Sequence, residues 1–157
     1  MATEQDHPNT SPIVHPPVVA LIFVVMAHFL GDLIPLSFSA PAILRAVGLA
    51  MSLVGFLLGI AAFIEFRKAH TTLDPHGSAK QLVTSGIYRY TRNPIYLGFL
   101  LLVMGLPLYS GLYWGIILAP LYVLLMNRLI IQHEEAYLER KFGKTYTNYT
   151  TDVRRWV

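Results

Sequence analysis

LVTSGIYRYTRNPIY, residues 82–96, is the stretch on which the reading of the fold turns. It is polar and aromatic, carries Arg89 and Arg92, and separates two pairs of long apolar segments. A second polar island, His133-Glu134-Glu135, leaves the last apolar segment about forty residues later. The expectation is that both islands meet at the cytosolic face of a membrane and build one site there.

Upstream of the insert lie two apolar segments. Residues 17–36 are long enough to cross a bilayer, which takes about 20 residues. They carry His28 and Asp32, four apart and so on one helical face. That pair reads as a structural hydrogen bond near the outer interface or as a substrate contact. Residues 43–66 form the second span, with Arg45 near its start able to snorkel to the interface. Gly55 and Gly59 make a GxxxG step that lets a neighbouring helix approach closely.

Downstream, the run from Ile95 to Met126 is too long for one ordinary span. Pro107 and Ser110-Gly111 are expected to split it into a hairpin. The third span is then short, residues 95–109. The fourth starts at Leu112 and continues as a helix past Glu135 to Lys141, with Gly143 as its stop. After Gly143, Tyr146, Tyr149, Thr150, Val153 and Trp156 recur at helical spacing, flanked by Lys144, Arg154 and Arg155. This predicts an interfacial amphipathic helix. Residues 1–13 are polar, read as a disordered tail, and lack the positive n-region of a signal peptide. Residues 14–157 make one domain. The fold class is therefore all-α: a polytopic membrane helical bundle of about four transmembrane helices plus a C-terminal interfacial amphipathic helix.

Bulk composition agrees. Of 157 residues, 54% are apolar and 13% charged, whereas soluble domains carry about 25% charged residues. The net charge of +3 does not suggest nucleic acid, because the Lys and Arg flank apolar spans rather than line a groove-facing helix. With four spans, eleven of the twelve Lys and Arg residues fall on the side of the termini and of the 67–93 loop, and only Arg45 lies opposite. The positive-inside rule puts that side in the cytosol, with the plasma or inner membrane expected if the source is bacterial. The absence of cysteine excludes disulfides, thiolate metal sites and cysteine nucleophiles. His70 and His76 lack a partner set with ligand spacing, and a turn at Asp74-Pro75 accounts for their loop, so no metal is expected.

Asn93-Pro94 is a good helix start, with Asn as N-cap and Pro at the first position. Its free N–H groups and positive dipole end attract carboxylates and phosphates. Arg89 and Arg92 add charge beside it, and Tyr88, Tyr90 and Tyr96 add aromatic faces. Taken alone, these residues also fit an interface belt. Glu134 and Glu135 point about 100° apart on a helix, so one of them can close a polar pocket at the inner mouth of the bundle. A solvated helix end salt-bridged to Lys141 or Arg128 is the plainer alternative. Together, an anion-friendly helix start, aromatics and an acidic helix end suit a zwitterionic, cationic cofactor.

Residues 82–98, LVTSGIYRYTRNPIYLG, the hairpin after them, the double glutamate and residues 142–156, FGKTYTNYTTDVRRW, carry a resemblance. Over about residues 80–157 the chain resembles the small integral-membrane methyltransferases that include isoprenylcysteine carboxyl methyltransferases and phospholipid methyltransferases. The resemblance implies S-adenosylmethionine as cofactor. It implicates Gln81, Leu82, Val83, Tyr88, Asn93, Pro94, Ile95, Tyr96 and Glu134 in cofactor binding, and an amphiphilic or membrane-dissolved acceptor (an isoprenylcysteine carboxylate, a lipid or a small thiol). Arg92 and Glu135 are the candidates for acceptor-side catalytic roles. Two departures stand out. Asn93 replaces the family's usual His and cannot act as a base near neutral pH. Ile130 stands where isoprenylcysteine enzymes place an Arg before the first glutamate, with Arg128 on a different face, which weakens the prenylcysteine assignment. A non-enzymatic membrane scaffold or lipid-binding protein, and an NADPH-dependent enzyme like the sterol reductases, are the competing readings.

Overall fold

The computed structural model describes residues 15–36, 40–69 and 81–157, so the expectations for the N-terminal tail and for His70, Asp74 and His76 lie outside the described residues. The described residues form helices and no strand. In chain order these are α1 (Pro16–Leu33), α2 (Ala42–Lys68), a single 3₁₀ turn (Gly86–Arg89), α3 (Pro94–Tyr109), α4 (Trp114–Phe142) and α5 (Lys144–Asp152).

Three of these helices, α1, α2 and α4, are long and apolar enough to cross a membrane. At 16 residues, α3 reaches about 24 Å, short of a bilayer's apolar core of about 30 Å. The expected four spans are thus three full-length helices and a shorter apolar one. The outward faces match a lipid solvent: Leu21, Phe29, Phe56 and Leu57 are each about 60% exposed. In water such contiguous apolar surface would drive association; in lipid it needs no cover. The protein is an integral membrane helical bundle.

α3 packs most extensively with α2 and also touches α1 and α4, so it is the hub of the bundle. The α2–α3 seam is made by small residues. A Cβ at Gly55 would sit 2.6 Å from the Gly98 carbonyl oxygen, and one at Gly48 2.7 Å from that of Gly105. Ser52, buried between them, turns its hydroxyl back to Gly48 O at 2.9 Å. Close backbone approach of this kind replaces the hydrophobic drive that lipid removes. Gly55 of the expected GxxxG step makes this approach, and Gly59 N lies 3.6 Å from where a Cβ on Gly98 would sit, although a Cβ on Gly59 itself would meet nothing within 4 Å. From Gly55 the seam continues to Gly48.

Pro107 does not split the hairpin. It lies inside α3, and the chain turns at residues 110–113, where Gly111 has φ +90°. At that turn His28 Nε2 lies 3.1 Å from Ser110 Oγ, and its Nδ1 2.9 Å from Val24 O. His28 therefore bonds across to α3 and back along its own helix instead of to Asp32, which is exposed.

α4 runs unbroken to Phe142 and stops at Gly143 (φ +52°), as expected. Residues Asn127–Ile131 within it form a π turn. In an ideal α-helix, positions 122 and 134 diverge by about 120°. The wider turn takes back part of that rotation, keeping Tyr122, Met126 and Ile130, all fully buried, on the face that continues to Glu134. α5 is shorter than the expected C-terminal helix: it ends at Asp152, Tyr146 is buried against the protein, and Trp156 belongs to an extended segment beyond it.

Candidate functional site

The polar end of the bundle is assembled from four elements: the start of α3, the last turns of α4, the 3₁₀ turn and the extended C-terminal segment 153–157. The C-terminal segment ties the others together. Arg154 O accepts from the Arg92 N–H at 3.0 Å, and Arg155 O accepts from Asn93 Nδ2 at 2.9 Å. Trp156 Nε1 donates to Asn127 Oδ1 of the π turn at 3.1 Å. Pro94 opens α3 as expected, but the Asn93 side chain does not cap it. A partly buried carbonyl on the C-terminal segment needs a donor, and the Asn93 amide supplies it.

The two adjacent glutamates diverge. Glu134 Oε1 accepts from the Tyr96 hydroxyl at 2.6 Å, a contact between α4 and α3. Glu135 turns toward the C-terminal segment. Arg155 grips it as a fork, Nε to Oε1 at 3.0 Å and Nη2 to Oε2 at 2.6 Å, and Arg92 Nη1 lies 3.1 Å from Oε1. The expected partners Lys141 and Arg128 are replaced by Arg155 and Arg92. The carboxylate bonded to Arg155 pushes that guanidinium's pKa up further. Arg92 Nε is buried with no hydrogen-bond partner among the described residues.

Tyr88 is buried on the end of α2, in a cluster with Ala62 and Val83 against which Phe66 and Ile95 pack. Its ring meets that of Phe66 edge-on, centroids 5.6 Å apart, and its carbonyl accepts from the Tyr149 hydroxyl at 2.6 Å. Burial, then the nearby Tyr149 and Glu134 oxygens, push the Tyr88 phenol well above the usual range. Burial, then Glu135, raise Tyr146 to about 12. Both phenols are therefore protonated at neutral pH.

Of the expected cofactor residues, the structure gathers Val83, Tyr88 and Ile95 into one cluster and joins Tyr96 to Glu134. Asn93 and Pro94 lie between these groups at the start of α3. Leu82 is half-buried at the edge, and Gln81 is exposed, outside the cluster. The acceptor-side pair, Arg92 and Glu135, is in contact. Sequence reasoning did not single out Arg155, Tyr149, Thr91 or Asn127 partnered with Trp156. The signal for Arg155 was present but read as topology charge. Ile130 is buried in the core and Arg128 is exposed, so no guanidinium from that turn of α4 reaches the glutamates. Among the described residues, no cluster of three His, Asp or Glu side chains is placed to hold a metal.

Comparison with known proteins identifies the family. The profile of the family described as phospholipid methyltransferase matches residues 43–145. A protein-S-isoprenylcysteine O-methyltransferase of Schizosaccharomyces pombe is 33% identical over 85 residues, covering 54% of this chain and 36% of that protein. Protein-S-isoprenylcysteine O-methyltransferase A of Arabidopsis thaliana is 31% identical over 119 residues, 70% of this chain and 57% of that one. The chain thus spans only about a third to somewhat over half of the length of these two relatives. An uncharacterized protein of Haemophilus influenzae is matched over its whole length, at 41% identity across 40% of this chain. No solved structure matches the chain significantly.

Proposed function

Since this chain belongs to the phospholipid methyltransferase family, we propose that it transfers a methyl group from S-adenosylmethionine to a membrane-dissolved or amphiphilic acceptor. The observation that carries this reading is the contrast in pairing at the polar end. Glu134 has a neutral phenol as its partner, and Arg92 keeps an unpaired buried Nε. Between them, the N–H groups of Ile95 and Tyr96 in the first turn of α3 have no partner among the described residues. Glu134 and the two N–H groups are complementary to a zwitterion that also bears a sulfonium charge, and the Arg92 Nε is complementary to an anionic acceptor.

On this reading Glu134 holds the cationic part of the cofactor, and the start of α3 receives its carboxylate. Tyr88 and Tyr96 offer aromatic faces to a cation, while Val83, Pro94 and Ile95 supply apolar wall. Gln81 and Leu82 border the site, and Asn93 holds the start of α3 to the C-terminal segment. When bound, S-adenosylmethionine supplies a methyl group already activated on sulfur. The protein's task is to align the acceptor and exclude water. Arg92 serves the acceptor side, its Nε–H free for an anionic oxygen, and Glu135 orients it. An amine acceptor would arrive deprotonated or deliver its proton to water.

The relatives' names point to a prenylated cysteine carboxylate, and Ile130 in the apolar core weakens that choice against a lipid or a small thiol. Membrane lipids surround the acceptor's route. The distribution of Lys and Arg supports a site on the cytosolic side. Calorimetric titration of S-adenosylmethionine into detergent-purified protein tests the reading. Saturable binding lost in Glu134→Ala is expected. No binding by folded wild-type protein would overturn the reading in favour of a scaffold.

A further inference from the structure

We propose that Glu65 is a positioning residue for the donor site: its carboxylate latches residues 82–89 to the end of α2 and so fixes the wall that carries Val83 and Tyr88. This inference rests on the S-adenosylmethionine reading above. Glu65 sits in the last turn of α2, and its Oε2 accepts from the Ser85 hydroxyl at 2.5 Å. Its Oε1 accepts from Lys68 Nζ at 2.8 Å. The Glu65 side chain is only 11% exposed, whereas Lys68 is 67% exposed. The bond to Ser85 is thus short and charge-assisted, while the ion pair to Lys68 is solvated and contributes little.

Gly86 shows how tightly the latch is built. It has φ +57°, which disfavours side chains, and a Cβ there would lie 2.5 Å from Glu65 Cδ and 2.7 Å from Cγ. Glycine is required both for backbone conformation and for room. Two residues on, the Tyr88 ring packs against Phe66, the neighbour of Glu65, and the Tyr88 carbonyl takes the Tyr149 hydroxyl. The loop is therefore held from below by α2 and from above by α5. Without Glu65, its hold on α2 is reduced to apolar contact, which does not define a single position as a directional bond does.

The experiment is calorimetric titration of S-adenosylmethionine into the full chain in detergent, with thermal unfolding alongside. Glu65→Ala and Ser85→Ala should each raise Kd by about tenfold, the effect of one hydrogen bond to a charged group, and the double variant should lose no more than either. Glu65→Gln, whose amide oxygen still accepts from Ser85, should restore binding to within about threefold, a rescue that loss of bulk packing would not give. Lys68→Ala should bind within about twofold of wild type. Unchanged binding in Ser85→Ala, additive losses, or an equal loss in Lys68→Ala would overturn the latch while leaving the methyl-donor reading intact. Wild-type protein that binds no S-adenosylmethionine would overturn both. Should Glu65→Ala fail to fold, Ser85→Ala reads the same bond from its other end.

Discussion

Glu134 and Glu135 are neighbours on α4 with the same side chain, yet the two flanks they face are built on opposite principles. On the flank toward α3, the carboxylate meets a phenol, which is neutral at physiological pH. On the flank toward the C-terminal segment, the carboxylate meets two guanidiniums, one of them bidentate. A charge held by two cations has its electrostatic demand met within the protein. A charge held by one phenol does not, and keeps attraction for a cation from outside. The first arrangement closes a fold; the second leaves a site.

The sharpest way to break this contrast is Glu134→Ala. It should cost about hundredfold in S-adenosylmethionine affinity by calorimetry, as for removal of one partner of a sheltered charge pair, with the melting temperature little changed. Glu135→Ala should invert the pattern. Its removal leaves Arg92 and Arg155 without their common anion, and detergent unfolding should show a loss of about 2 kcal/mol, with faster proteolysis after Asp152. Tyr96→Phe removes the one donor to Glu134 among the described residues and should cost about 1 kcal/mol of stability by the same assay. The smallest effect lies at high pH. Tyr146 ionises near 10 when unfolded and at about 12 when folded, so the folded state binds more protons between those values. Its contribution therefore falls as pH rises through 10 and levels off above about 12. Tyr146→Phe should flatten that segment of a stability–pH curve and leave pH 7 unchanged.

Much of this end of the bundle was legible in the residues, for identifiable reasons. Long apolar runs, Asn93-Pro94 and Gly143 act through local rules of length, proline and glycine, and the helices begin or end beside them. The stop at Gly143 was clear because a left-handed residue ends a helix whatever surrounds it. Where tertiary contacts override local preference, the sequence misled. Asn93 has the chemistry of a cap, but Arg155 O offers its amide a different partner. Val153 and Trp156 have helical spacing, but the chain leaves the helix so that Trp156 can reach Asn127. The α2–α3 seam follows Gly48, Ser52 and Gly55 because those positions face Gly98 and Gly105, which no property of α2 alone specifies. The π turn leaves no local signature in Asn127–Ile131 at all.

That turn gives α4 an unusual tolerance profile for changes in chain length. A π turn holds one more residue than the α-helical turn it replaces, so deleting a single residue within Asn127–Ile131 lets the helix re-form as a regular α-helix without a break. The membrane-crossing part would keep its seat, and everything from Gln132 onward would keep its phase, because eleven steps of about 100° bring the Tyr122 and Glu134 positions to within about 20° of one another. Glu134 and Glu135 would then hold their flanks, whereas the same deletion in a regular stretch of α4 would turn them by about 100°. In lineages of this chain, this turn is where one residue can be lost without changing what the polar end binds.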